Sequence, residues 1–151
     1  MANTFIKLDI HLIFHIKPAC PFIRQDNLPT LFAYIGGIIR AVGGVPYIVG
    51  GMSNHVHILT SLPKTMSLSD FVKQIKIESS RWIKTLDTTY HTFSWQDGYA
   101  VFSVSSSILE KTKAYIQNQA EHHQKRSFKE EVLALLKKHG VSYDEQYVFP
   151  E

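Results

Sequence analysis

The sequence predicts an α+β protein of ferredoxin-like (RRM- or palm-like) architecture, an antiparallel sheet with helices on one face and extra helices towards the C-terminus. Three observations lead there. Apolar and polar residues alternate along the first segment, helical stripes separate the later strand signals, and the elements follow in the order strand, helix, hairpin, helix, strand.

The first strand is read from Ile6, Leu8, Ile10, Leu12, Phe14 and Ile16, which alternate with Lys7, Asp9, His11 and His15; Ile13 alone breaks the period. Such a strand buries one face of the sheet and leaves the other polar, free to bind. Beyond a loop bounded by Pro18 and Pro21, Leu31, Tyr34, Ile35, Ile38 and Val42 recur at helical spacing between a cap at Asp26 or Asn27 and a stop at Gly43-Gly44. Residues 45–49 read as a second strand, joined through Gly50-Gly51-Met52-Ser53-Asn54 to a third at 55–61.

Ser67 with Asp70 marks the start of a second helix. Its buried stripe is Leu68, Phe71, Val72, Ile75, Trp82, Ile83 and Leu86, and its outer face carries Lys73, Lys76, Arg81 and Lys84. Short strands around Trp95 and at 99–104 flank Asp97-Gly98, a two-residue turn signal. A third helix is expected from the Ser105-Ser106-Ser107 cluster to about Gln124. A fourth opens on Ser127 with Glu130, runs through Val132, Leu135 and Leu136, and ends at Gly140. Tyr143, Tyr147 and Phe149 of the tail are expected to pack on the body or on a partner.

A length of 151 residues suffices for a core without metal or disulfide staples, so one domain spanning 1–151 is expected. The chain contains no apolar run that could span a bilayer and opens without a secretory signal pattern, which predicts no membrane partner and a cytoplasmic location. Cys20, the only cysteine, has no partner for an internal disulfide. A net charge of +3 permits a polyanionic partner without requiring one.

Two constellations carry chemistry. His55 and His57 alternate with Val56 and therefore project to one face of their strand, where both imidazoles can chelate one ion. In isolation a His-x-His pair is more often two solvated rings, but this one follows a flexible glycine-containing turn. Tyr115 and Gln119, four residues apart, lie on one face of the third helix. A phenol can attack phosphorus if a cation neutralises the phosphate oxygens, and the Gln119 amide oxygen can complete the coordination of that cation. His122 and His123 farther along are further ligands or phosphate contacts, or simply a solvated helix end.

Four segments in order, Tyr34-Ile35-Gly36-Gly37-Ile38-Ile39-Arg40, Gly50-Gly51-Met52-Ser53-Asn54-His55-Val56-His57, Trp95-Gln96-Asp97-Gly98-Tyr99, and Tyr115-Ile116-Gln117-Asn118-Gln119 with Glu121-His122-His123, resemble the single-tyrosine transposases of the HUH superfamily, the enzymes of minimal insertion sequences and their repeat-associated relatives. The resemblance implies that His55 and His57 are metal ligands, Gln119 the third ligand and Tyr115 the nucleophile. It implies a divalent cation, magnesium or manganese, and cleavage of single-stranded DNA through a 5′-phosphotyrosine with release of a 3′-hydroxyl that later rejoins another end. It also implies recognition of DNA hairpins and a homodimer, for which an edge strand near residues 95–104 is a candidate seam. Candidate DNA contacts are Lys73, Lys76, Arg81, Lys84, His122 and His123, with Trp95, Tyr47 or Tyr99 stacking on bases. Two imidazoles and one amide make a sparse site, which predicts weak metal binding without DNA.

Two other readings fit the same residues. In a zinc-dependent hydrolase, His55, His57 and His122 or His123 would activate water and Tyr115 would be dispensable. A non-catalytic hairpin-binding module would need no cation at all.

Overall fold

The alternation of the first segment becomes β1 (Asp9–His15), the centre of a four-stranded sheet in the computed structural model, which describes residues 3–148. The strand is shorter than the pattern suggested, because Phe5, Ile6 and Leu8 lie exposed ahead of it. The first helix starts from a short 3-10 turn at Gln25–Asn27 and runs as α1 (Leu28–Ala41), with Pro29 in its first turn, where its missing N–H is harmless. Asn27 precedes the helix as expected but makes no side-chain cap; its Oδ1 accepts from the Tyr90 hydroxyl instead.

The hairpin pairs β2 (Pro46–Met52) with β3 (His55–Ser61). The connection is only Ser53-Asn54, tighter than the five-residue turn expected, because Gly50 and Gly51 belong to β2. Gly51 has φ +140°, and a Cβ there would stand 2.3 Å from the His55 carbonyl oxygen, so only glycine lets the strand run so far. The cap of α2 (Leu68–Ile83) forms as read, with Ser67 Oγ accepting from Asp70 N–H at 3.1 Å. Leu86, counted in its buried stripe, lies past the helix end and is exposed.

Asp97-Gly98 does not turn a hairpin. Trp95 bridges to Ile16, and β4 (Ala100–Val104) pairs with Asp9–Ile13, so both segments lie along the same edge of β1 with a loop between them. Strand order is β2-β3-β1-β4, every pairing antiparallel, with β2 and β4 at the edges. This is the expected α+β arrangement.

The third helix is broken where a continuous one was expected. A 3-10 turn at Ser106–Ile108 leads into α3 (Leu109–Gln117), Asn118 leaves helical geometry at φ −100° and ψ 26°, and α4 (Gln119–His122) adds one turn. Ser127 and Glu130 form both bonds of a capping box at the start of α5 (Phe128–Lys138), and Gly140 follows with φ +67°. In the tail, Val148 is buried while Tyr147 is exposed; Phe149 lies outside the described residues.

Each face of the sheet has its own cover. Ile10, Leu12 and Phe14 of β1, with Val56 and Ile58 of β3, pack against Leu31, Ile35 and Ile39 of α1 and Phe71 and Ile75 of α2. The other face, expected to be open, is roofed by the C-terminal helices. Ile13, Ala100 and Phe102 meet Phe128 and Val132 of α5, and Leu59 and Val104 meet Ile116 of α3. Ile13, the exception to the alternation, is explained by this second roof. Among the described residues no helix is long and apolar enough to cross a membrane.

Candidate metal and nucleophile site

Pairing brings the histidines of β1 and β3 together on the roofed face. His15 stands opposite His55 and Ile13 opposite His57, and His11, His15, His55 and His57 are all buried. Each histidine of the pair on β3 is held by its Nδ1. That of His55 lies 2.8 Å from Asn54 Oδ1, and that of His57 lies 2.7 Å from His11 Nε2. Both Nε2 atoms are thereby aimed into the space beneath α4 and α5, as a ligating imidazole requires. Burial first, and the neighbouring His57 second, pushes the His55 imidazolium well below its ordinary range; His11 shifts the same way for the same causes.

The side chain that completes this space is Glu131, fully buried on α5. Its Oε1 lies 3.1 Å from His57 Nε2, 3.2 Å from His123 Nε2 and 3.8 Å from His55 Nε2. One ligand atom from each of His55, His57 and Glu131 falls within 4.8 Å of the others, a cluster that can hold a metal ion. The other oxygen, Oε2, accepts from Gln119 Nε2 at 2.9 Å and from the Tyr115 hydroxyl. Gln119 Oε1 lies 3.0 Å from His55 Nε2 and 3.1 Å from His123 Nε2. Burial by itself would raise the Glu131 carboxyl, but hydrogen bonds from His123, His57 and the Tyr115 hydroxyl outweigh it and hold the group ionised. The Tyr115 phenol moves up instead, through burial first and then the charge and hydrogen bond of Glu131, so it rests protonated.

Four residues singled out in the sequence, His55, His57, Tyr115 and Gln119, are therefore joined in one network within one chain. The two reserve histidines divide: His123 enters the network, whereas His122 stacks on the Tyr115 ring with centroids 4.5 Å apart. The tyrosine ring stands edge-on to His57 at 6.1 Å. Glu131 was missed. Its signal is a carboxylate in the apolar stripe of a helix, since Phe128, Glu131, Val132 and Leu135 follow the i, i+3, i+4, i+7 spacing of a buried face.

The candidate DNA contacts lie elsewhere. Lys73, Lys76, Arg81, Lys84 and Trp95 line a cleft of about 700 Å³ between α2 and residues 94–99, in the helical layer on the opposite side of the sheet. Two of them are already engaged. Lys76 Nζ donates to the carbonyls of Gln96 and Gly98, both at 2.7 Å, and burial lowers its pKa to about 8. Trp95, read as a base-stacking ring, is instead buried edge-on against Phe14 and Phe93, with its indole N–H donating to Ser79 Oγ, so it offers no free face. Tyr47 donates to Asp9 Oδ1 and accepts from Lys7.

Residues 4–119 match the family described as Transposase IS200 like. The chain belongs to the IS200-like transposase family. Among solved structures, it resembles a candidate transposase from Deinococcus radiodurans R1, with 22% identity, a TM-score of 0.59, and coverage of 79% of this chain and 96% of the other. It also resembles a REP-associated tyrosine transposase bound to a REP hairpin, with 11% identity, a TM-score of 0.54, and coverage of 83% and 74%. At such identities the likeness is one of fold. Among curated proteins, none matches the sequence. The family match takes in His55, His57, Tyr115 and Gln119 and stops before His123 and Glu131.

Proposed function

We propose that this IS200-like transposase cuts and rejoins single-stranded DNA at hairpin-marked ends, with Tyr115 as nucleophile and a divalent cation, magnesium or manganese, held by His55, His57 and Gln119. The observation that carries the reading is the meeting of the Tyr115 hydroxyl with the paired imidazoles through one carboxylate. When bound, the cation would neutralise the oxygens of the scissile phosphate and lower the barrier to attack. The chain's own residues supply the rest. Tyr115 Oη forms a bond to phosphorus as the bond from phosphorus to the 3′-oxygen breaks, giving a 5′-phosphotyrosine and a 3′-hydroxyl. Glu131 Oε2, which accepts the phenolic hydrogen in the resting structure, is placed to receive that proton, and the departing oxygen takes one from solvent. The reverse attack by a 3′-hydroxyl rejoins strands without hydrolysis.

The hairpin-bound relative supports a DNA hairpin as partner. Lys73, Arg81 and Lys84, exposed along the α2 cleft, are proposed phosphate contacts. A homodimer joined along the edge strand β4 is the proposed assembly. The meeting of Tyr115 and the histidine pair within one chain supports an intrachain site as the proposed resting arrangement.

The test uses labelled hairpin oligonucleotides copied from DNA flanking the gene, incubated with manganese and analysed after denaturation. Wild type should yield a covalent protein–DNA species that maps to Tyr115, and Tyr115→Phe should reduce it at least about a thousandfold. Undiminished cleavage by Tyr115→Phe without any adduct would give the site to a water-activating hydrolase. Cation-independent hairpin binding with no cleavage would make the protein a binding module.

A further inference from the structure

Tyr115 also lines a separate cavity of about 350 Å³, between α3 and α5 on the roofed side of the sheet. Ile108 and Leu135 give this cavity apolar walls, while Lys111 and Lys138 bring positive charge to it. None of the residues that line it is acidic. Lys111 stands one helical turn before Tyr115, so the two side chains share a face of α3, with Cβ atoms about 5–6 Å apart. Lys138 ends α5. Taken singly, each would be an ordinary solvated lysine, and the dipole of α5 favours a cation where Lys138 stands. What sets the pair apart is a shared cavity that reaches the nucleophile. Among the described residues neither lysine is in an ion pair.

His139, which lines the same cavity, is held flat. Its ring lies on that of Phe102, with centroids 4.4 Å apart and planes 18° from parallel. One face is covered and the ring is steadied, which makes a platform of the kind on which unpaired bases stack.

Strand transfer leaves some charge to be neutralised. A cation beside His55 and His57 serves the scissile phosphate, but the neighbouring phosphates of the strand need counter-ions of their own. The basic cleft along α2 cannot supply them next to Tyr115, because it lies on the other side of the sheet. Lys111 and Lys138 can. Apolar walls, a cationic edge and one flat ring match a nucleotide turned out of its stack. The volume is at the small end of the range for ligand pockets, about 300–1,000 Å³, which suits one nucleotide rather than a run. Leu135, Lys138 and His139 lie past residue 119, so the C-terminal helix beyond the family match builds half of this cavity.

We propose that the cavity between α3 and α5 is a subsite for one unstacked nucleotide of single-stranded DNA beside the cut. Lys111 and Lys138 contact its phosphate, and its base lies between Ile108 and Leu135 and against His139. The subsite rests on the strand-transfer reading for its substrate, and it sets which nucleotide stands next to the scissile bond.

The experiment measures binding of the labelled hairpin oligonucleotides to full-length Tyr115→Phe protein, which does not cut, across a salt series. Adding Lys111→Ala and Lys138→Ala together should weaken binding about tenfold. The slope of log affinity against log salt should flatten by about 1.4, at about 0.7 for each phosphate contact on a single strand. Both lysines are exposed, so their removal should leave the fold intact, and Lys137→Ala, exposed on α5 outside the cavity, is the control. An abasic site is then moved along the strand. At one position next to the cut it should cost about tenfold in affinity, and His139→Ala should abolish that cost at that position alone. Unchanged affinity and salt slope without the two lysines would overturn the proposal, as would an abasic penalty that His139→Ala leaves intact. An adduct at Tyr115 in wild type with neither effect would keep strand transfer and remove this subsite. The position-specific coupling with no adduct would remove strand transfer and leave a nucleotide site.

Discussion

The two faces of one sheet are equally buried and differently made. Towards α1 and α2, Leu12, Phe14, Val56 and Ile58 meet apolar partners, each contributing on the order of 1.5–3 kcal/mol by leaving water. Towards α3 and α5, residues of the same two strands present His11, His15, His55 and His57, which pack beside Gln119 and Glu131. Buried polar groups stabilise little and cost much when a partner is missing. One face thus holds the fold together, and the other uses that stability to keep a reactive polar cluster out of water.

Deep truncation of the apolar face should have the largest effect. Phe14→Ala is expected to lower unfolding free energy by about 3–5 kcal/mol in urea titrations, without changing how stability varies with pH. Acidification attacks the other face. His11 and His55 have folded-state pKa values pushed below the ordinary 6.5, so the unfolded chain takes up more protons as pH falls past that point. Stability is whole above about pH 6.5 and declines below it. Glu131, whose pKa is lowered, adds its own loss only in the carboxylate range nearer pH 4. The melting temperature should drop between pH 8 and 5.5, with hydrogen exchange rising first in α5; a flat profile would mean the histidine face is not held by neutral rings.

Gly50→Ala probes the seam between β2 and the tyrosine helix. A Cβ there would lie 2.8 Å from Ile116 Cγ2 and 3.1 Å from its carbonyl oxygen, so α3 must shift. We expect a loss of about 1–3 kcal/mol and a larger fall in adduct yield than in melting temperature. The smallest effect is Ser127→Ala, which removes one half of the capping box of α5 and should cost about 1 kcal/mol; Ser67→Ala on α2 gives the matching loss on the apolar side. If cation affinity falls with Ser127→Ala but not with Ser67→Ala, the polar face depends on the seating of α5.

The apolar face was legible because period alone specifies it: the even residues of β1 and the stripe of α2 need only bury themselves. His55, His57, Tyr115 and Gln119 were legible as local pairs, each two or four residues apart. The roof was not. Nothing local says that residues 109–138 fold over the strand face carrying His11 and His15, so that face was read as open. Glu131 went unread because the Ser127–Glu130 cap accounts for the acidic start of α5, and only its place among Phe128, Val132 and Leu135 betrays it. The break at Asn118 was also hidden, since the residues around it suit a continuous helix.

At 2.7 Å, the facing nitrogens of His11 and His57 share one hydrogen. When an ion takes the Nε2 lone pair of His57, that hydrogen belongs to His57 Nδ1, and His11 must receive it through Nε2 while protonated on its own Nδ1. The tautomer of His11, readable from the nitrogen chemical shifts of its ring, therefore reports loading of a centre that it does not touch.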